Sequence, residues 1–175
     1  MAGIAMASST STESPLPPRS VELASVAEQS AAIDELIGLA QRRIRVFDQD
    51  LSHTGWNLAA RTDRLAQFLR EARGRRLDVI VHDTHYIESA CPRLLGLLRT
   101  YSFAVTIYRT GTEARLATDP LIIVDDRHYL HRFHFEQSRA AMGINQPDQT
   151  RPLAARFEEI WATGEPGLNA TVLGL

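Results

Sequence analysis

Three short runs rich in β-branched residues, RIRVFDQD (residues 43–50), RLDVIVHD (76–83) and FAVTIYR (103–109), recur through the chain with helical segments between them. Residues 27–40 place Ile33, Leu36, Ile37 and Ala40 on one face at a helical period, and residues 57–73 do the same with Leu58, Leu65, Phe68 and Leu69 before Gly74. A third such segment, residues 89–99, carries Leu94, Leu95, Leu97 and Leu98 with Pro92 in its first turn. Strands that alternate with helices of this length are joined by crossovers, so they pair in parallel. In the first run the charged positions alternate with Ile44 and Val46, as in a half-buried strand.

Two further runs, LIIVDD and HYLHRF, predict an antiparallel hairpin with a tight connection at Asp126 and Arg127. Residues 149–164 predict a last amphipathic helix whose Leu153, Phe157, Ile160 and Trp161 face the core. The expected fold is a layered α/β domain: a mixed, mostly parallel sheet flanked by helices. It occupies residues 21–165, after a Ser/Thr/Pro-rich disordered leader over residues 1–20 and before a flexible tail over 166–175 whose Val172 to Leu175 can dock on an apolar surface.

All nineteen basic residues are arginine. Without lysine the chain supplies no Schiff base, no lysine general base and no Walker lysine. A single cysteine, Cys91, excludes an intrachain disulfide and a thiolate metal cluster, and fits a reduced, cytoplasmic protein. It precedes proline with no adjacent histidine, and reads as a packing residue rather than a nucleophile. No apolar span is long enough to cross a bilayer, and a formal charge of −2 draws the chain to neither membrane nor nucleic acid as a whole. Locally, nine arginines against four acids between Arg42 and Arg76 give a basic stretch able to meet phosphates. Aromatic residues are sparse there, and Arg61, Arg64 and Arg70 also fit an exposed helix face.

The stretch DPLIIVDDRHYLHRFHFEQ (119–137) holds His128, His131 and His134, while HDTHY supplies His82, Asp83 and His85 at the end of another strand. His82, His85, His131 and His134 are candidate ligands for a divalent metal, provided the chain turns near Arg132, since His131 and His134 point to opposite faces of a straight strand. His128, at the hairpin connection, is expected in solvent. Arg132 is a candidate for gripping an anion, or for pairing with an acid such as Asp125. The loop DQDLSHTGWN (48–57) offers acids and His53 for a pocket rim, or a Trp that covers the core and an Asn that caps the following helix.

The order of LIIVDD, hairpin, GINQPD and a helix ending in Phe157 and Trp161 resembles one half of the phospholipase D-like fold, over residues 26–164. It is similar to single-copy, divergent bacterial domains of that kind, some joined to acetyltransferase domains. Active members carry His-x-Lys, four further residues and Asp; the histidine attacks phosphorus and the lysine holds phosphate. The resemblance puts Asp125 at the acid, Thr118 at the histidine and Pro120 at the lysine, and sets His131 to His134 where small polar residues stand, with Asn145 at a later asparagine. It implies a non-catalytic binding or protein-interaction module, forming a homodimer or partnering an acetyltransferase, with Asp125, Arg132, His134, Asp83, His53 and Asn145 as ligand-binding candidates for an anion. The alternatives are a metal-dependent phosphodiester hydrolase built on the histidines, and a nucleic-acid-binding protein using the arginines.

Overall fold

The structure, a computed structural model, describes residues 16–170. The chain opens with β1 (Arg19–Leu23) and turns into α1 (Val26–Leu39) through a reciprocal cap. The Glu28 N–H donates to the Ser25 hydroxyl at 3.2 Å, and the Ser25 N–H donates to the Glu28 carboxylate at 3.1 Å. Next come β2 (Arg43–Asp48), α2 (Ala59–Glu71), β3 (Arg76–Val81), α3 (His85–Ala90), α4 (Pro92–Thr100) and β4 (Val105–Arg109). The chain ends with β5 (Leu121–Val124), β6 (His128–Arg132), β7 (Ala140–Ile144), α5 (Pro147–Ala162) and β8 (Glu165–Leu168).

The eight strands form one sheet in the order β1-β7-β6-β5-β2-β3-β4-β8. The layered, mixed α/β architecture is the expected one, but only β2–β3 and β3–β4 pair in parallel; the other five pairs are antiparallel. Parallel pairing is confined to the stretch where α2, α3 and α4 provide crossovers. The strands that tip the balance, β1, β7 and β8, have sequences with weak strand character: RSVEL is polar, AAMGI is small and EPGL carries Pro and Gly. Pro166 is tolerated because β8 is an edge strand. Arg19 and Ser20, expected in the leader, lie in β1, and Leu168 of the expected tail is buried. The rest of that leader before residue 16, and the docking of residues 172–175, fall outside the described residues.

One sheet face packs Ile44, Val46, Leu77, Val79 and Ile107 under α1, α2 and α4; the other packs Phe47, Ile80 and Leu121 under Phe157 and Ile160 of α5. Leu153 and Trp161 pack partly buried at the margin of that second cluster. Because α5 covers this face, β2 is buried on both sides rather than half-buried. Arg45, at 3% exposure, is compensated by ion pairs to Glu158 (2.9 Å) and Asp126 and lies over the Phe157 ring. Asp78, at 1%, is held by Arg43 at 2.7 Å and Arg76 at 3.3 Å.

Two local expectations change. The helix expected over residues 89–99 is two helices, broken at Cys91, because Pro92 has no N–H to continue α3 and instead opens α4. The β5–β6 turn centres on Asp125 and Asp126, with φ of 53° and 56° and the Arg127 N–H donating to the Val124 carbonyl at 3.2 Å. Positive φ at both central positions is what a type I′ hairpin turn requires, and aspartate accepts it more readily than arginine.

Candidate functional site

The C-terminal edge of β2–β3–β4 gathers polar groups from four segments. Asp48 ends β2, Arg132 ends β6, Gln29 reaches in from α1 and Thr54 from the loop after β2; together with the apolar Ile33, Val46, Phe47, Pro120, Ile122 and Leu130 they line a cavity of about 10 Å³. That is room for one water molecule. Gln29 is fully buried; its amide nitrogen donates to the Ser138 carbonyl at 2.7 Å, while its Oε1 has no partner among the described residues. Arg132 donates from Nε to the Gln137 carbonyl at 2.6 Å, which folds the 133–139 loop back over the strand end. Burial pushes the Asp48 carboxyl up to about 6 with help from Asp50, against the pull of the Gln49 N–H and the charges of Arg132 and His53. The cavity does not admit a phosphodiester.

The histidines go elsewhere. His82 is buried at the end of β3, its Nε2 donating to the Ala117 carbonyl at 2.7 Å and its Nδ1 paired with the Thr110 hydroxyl at 2.6 Å. His131 faces away from Arg132, as strand alternation demands, and meets Asp119 at 3.2 Å; Asp119 also accepts from Arg156 of α5. Burial raises the Asp119 carboxyl, but the hydrogen bonds from His131 and Arg156 outweigh it and hold the group at about 2. His134 accepts the Glu136 N–H on Nδ1, and His85 opens α3, its N–H donating to Asp83 at 2.8 Å. The four candidate ligands therefore do not converge, and no group of three or more His, Cys, Asp or Glu side chains suited to a metal forms among the described residues.

The anion-binding candidates also divide. Arg132 and His53, whose Nδ1 meets the Ser52 hydroxyl at 2.9 Å, belong to the C-terminal edge with Asp48. Asp125 sits at the opposite edge and accepts three backbone N–H groups, from Gln41 (2.7 Å), Arg42 (2.8 Å) and Arg43 (2.9 Å), clamping the entry to β2. Its expected pairing with Arg132 is ruled out by the hairpin, which sets them at opposite ends of the β5–β6 ladder. Asn145 shares the Asp125 edge: at φ 50° it donates its amide to the Leu16 carbonyl and its N–H to Nδ1 of His128 at 2.9 Å. His128 is therefore buried rather than solvated, and burial lowers its pKa. In the 48–57 loop Trp56 does cover the core, but Asn57 caps α4 rather than α2, accepting the Arg93 N–H at 2.9 Å. Cys91 is buried, with its thiol pushed up by burial and by Asp50. Sequence reasoning passed over Gln29, Asp119 and Arg156, whose partners are more than 10 residues away, whereas Asp48 was visible as an acid directly after an apolar strand.

This fold, with its polar strand ends, is that of the phospholipase D family. The chain is similar to Nuc from Salmonella typhimurium, a phospholipase D family member (15% identity, TM-score 0.60, covering 86% of this chain and 99% of that one). It is similar also to phosphatidylserine synthase from Haemophilus influenzae (12% identity, TM-score 0.61, covering 90% and 41%). TrmBL2, an archaeal chromatin protein with a novel mode of DNA binding, shares the fold at 12% identity and a TM-score of 0.65; the match covers 90% of this chain and 57% of TrmBL2. Residues 25–173 match the family described as a domain of unknown function, DUF7931, and the chain belongs to it. No curated protein matches it in sequence.

Proposed function

We propose that this chain is a non-catalytic phospholipase D-like module whose role is binding. The observation that carries the reading is the closure of the edge where the resemblance puts the chemistry. Thr118 and Pro120 stand at the positions of the attacking histidine and the phosphate-holding lysine. Their backbone carbonyls accept the N–H groups of Phe135 and Arg132, at 2.9 and 3.0 Å, so the 133–139 loop lies across the strand end. Behind it remains the cavity of about 10 Å³. A homodimer or an acetyltransferase-bearing partner remains part of this proposal, on the strength of the resemblance alone.

The test is hydrolysis of bis(p-nitrophenyl) phosphate and of single-stranded DNA by the whole chain, with magnesium, manganese or zinc added in turn. Release at the buffer rate in every condition is expected. Turnover that disappears in His131→Asn or Asp48→Asn would instead establish the hydrolase. A second reading, nucleic-acid binding, has its own support: the fold is shared with a DNA-binding chromatin protein. In addition the side chains of Arg42, Arg70, Arg73 and Arg127 have no hydrogen-bond or ion-pair partner among the described residues.

A further inference from the structure

A much larger opening than the cavity beside Asp48 lies at the other edge of the sheet. A cleft of about 780 Å³ runs between the C-terminal ends of α1 and α2 and the β5–β6 turn, and Arg42, Arg75 and Arg127 line it. Its two acids are already engaged. Glu71 is paired with Arg75 at 2.6 Å, and Asp125 is saturated by three backbone N–H groups. Arg75 is also stacked over Phe68 and donates to the Phe68 carbonyl, so it caps the end of α2. Arg42 and Arg127 remain exposed and unpartnered among the described residues, as do Arg70 and Arg73, which flank Glu71 at the end of α2. The helix ends contribute about half a negative charge each, and Arg75 answers one of them. Within the lining Arg42, Arg75 and Arg127 therefore balance Glu71, Asp125 and the two helix ends, and the positive excess comes from the exposed Arg70 and Arg73 beside it.

We infer that this cleft binds the phosphodiester backbone of a nucleic-acid strand without reading its sequence. The inference rests on the nucleic-acid reading above and gives it a place and a mode. Guanidinium forks match phosphate oxygens in pairs, and two free ones on the lining, Arg42 and Arg127, with Arg70 and Arg73 on the adjoining end of α2, suit a chain of phosphates better than a single one. No Phe, Tyr or Trp lines the cleft, so bases have nothing to stack on and contacts fall on the backbone.

Fluorescence anisotropy of a labelled 20-nucleotide single strand and of its complement tests this with the whole chain. Both strands should bind alike, and with four phosphates neutralised the affinity should fall roughly fifty-fold between 50 and 200 mM salt. Arg42→Gln/Arg127→Gln should halve the logarithmic salt slope and weaken binding at least tenfold at 50 mM salt. Arg115→Gln/Arg139→Gln, exposed arginines beyond the opposite strand ends, should bind as the unaltered chain does, with circular dichroism confirming that all variants are folded. Absence of binding at 50 mM salt would overturn the nucleic-acid reading together with this site. Binding that persists unchanged in Arg42→Gln/Arg127→Gln, or that weakens equally in the Arg115/Arg139 variant, would overturn the site alone. A mononucleotide that competes as well as the strand would show a single-phosphate pocket and overturn the extended backbone mode.

Discussion

Asp48 and Asp119 are two carboxyls near the same sheet edge with opposite titrations. Asp119 is held low by His131 and Arg156, so its contribution to stability is present above its ordinary pKa and is lost as pH falls toward 2. Asp48 is held high by burial, up to about 6 from an ordinary 3.8. The folded state then binds the proton more tightly than the unfolded chain, and stability falls as pH rises from about 4 through 6. A rise of that size corresponds to about 3 kcal/mol. Asp48→Asn removes that dependence. The difference in unfolding free energy between the parent and Asp48→Asn, followed by urea titration at steps from pH 4 to 8, should shift against the parent by about 2 kcal/mol and level off above pH 7, the remainder of the change lying below pH 4. A flat difference would show that Asp48 titrates normally and is not desolvated. His128, lowered by burial, titrates in both proteins and cancels.

Between elements, the helices are joined to one another by arginines whose burial the local pattern concealed. Arg61 lies on α2, where its neighbours Arg64 and Arg70 are exposed, yet its side chain is fully buried. It donates to Asp34 at 2.8 Å and to the Ser30 carbonyl and hydroxyl at 2.8 and 2.9 Å on α1, and also to the Thr54 carbonyl. The guanidinium stacks on the Trp56 ring at 5.5 Å. One side chain thereby fastens α1, α2 and the loop that shapes the Asp48 edge. Arg61→Met keeps most of the volume but leaves those acceptors unpaired, and should cost about 3 kcal/mol in urea unfolding. A loss below about 1 kcal/mol would mean the loop is held by Trp56 packing alone. For the same reason a nucleic-acid test that neutralises every arginine from 61 to 76 would confound binding with folding. The spacing of Leu65, Phe68 and Leu69 located α2 correctly, but a period cannot tell a solvated arginine from one that finds Ser30 and Asp34 more than 25 residues away.

Across the molecule as a whole, protection should be graded through the sheet. β5, β2 and β3 lie at its centre, with buried residues on both faces, while β1 and β8 are the edges. Amide hydrogen exchange should be slowest in β2, β3 and β5, and faster by orders of magnitude in β1 and β8. Equal protection of β1 and β2 would point to a partner covering the β1 edge, which the proposed homodimer could supply. The cleft arginines border one end of this rigid centre and the small cavity beside Asp48 the other, so loss of binding in the cleft variants need not disturb Asp48. No helix among the described residues is long and apolar enough to cross a membrane.

Whatever depends on neighbours a few residues apart was legible in the chain itself: the periods of α1, α2 and α5, the central strands and the existence of the β5–β6 hairpin. The absence of lysine removed whole classes of chemistry on composition alone. Tertiary packing settled the rest: which strands pair at the edges, that Arg45 and Arg61 are interior, that His128 is buried, and that Asp125 and Arg132 stand at opposite ends of one ladder. These outcomes share a physical cause. A strand such as AAMGI is stabilised by the ladder it joins, and a buried charge by partners brought in from distant segments, so neither leaves a periodic trace in its own stretch of chain.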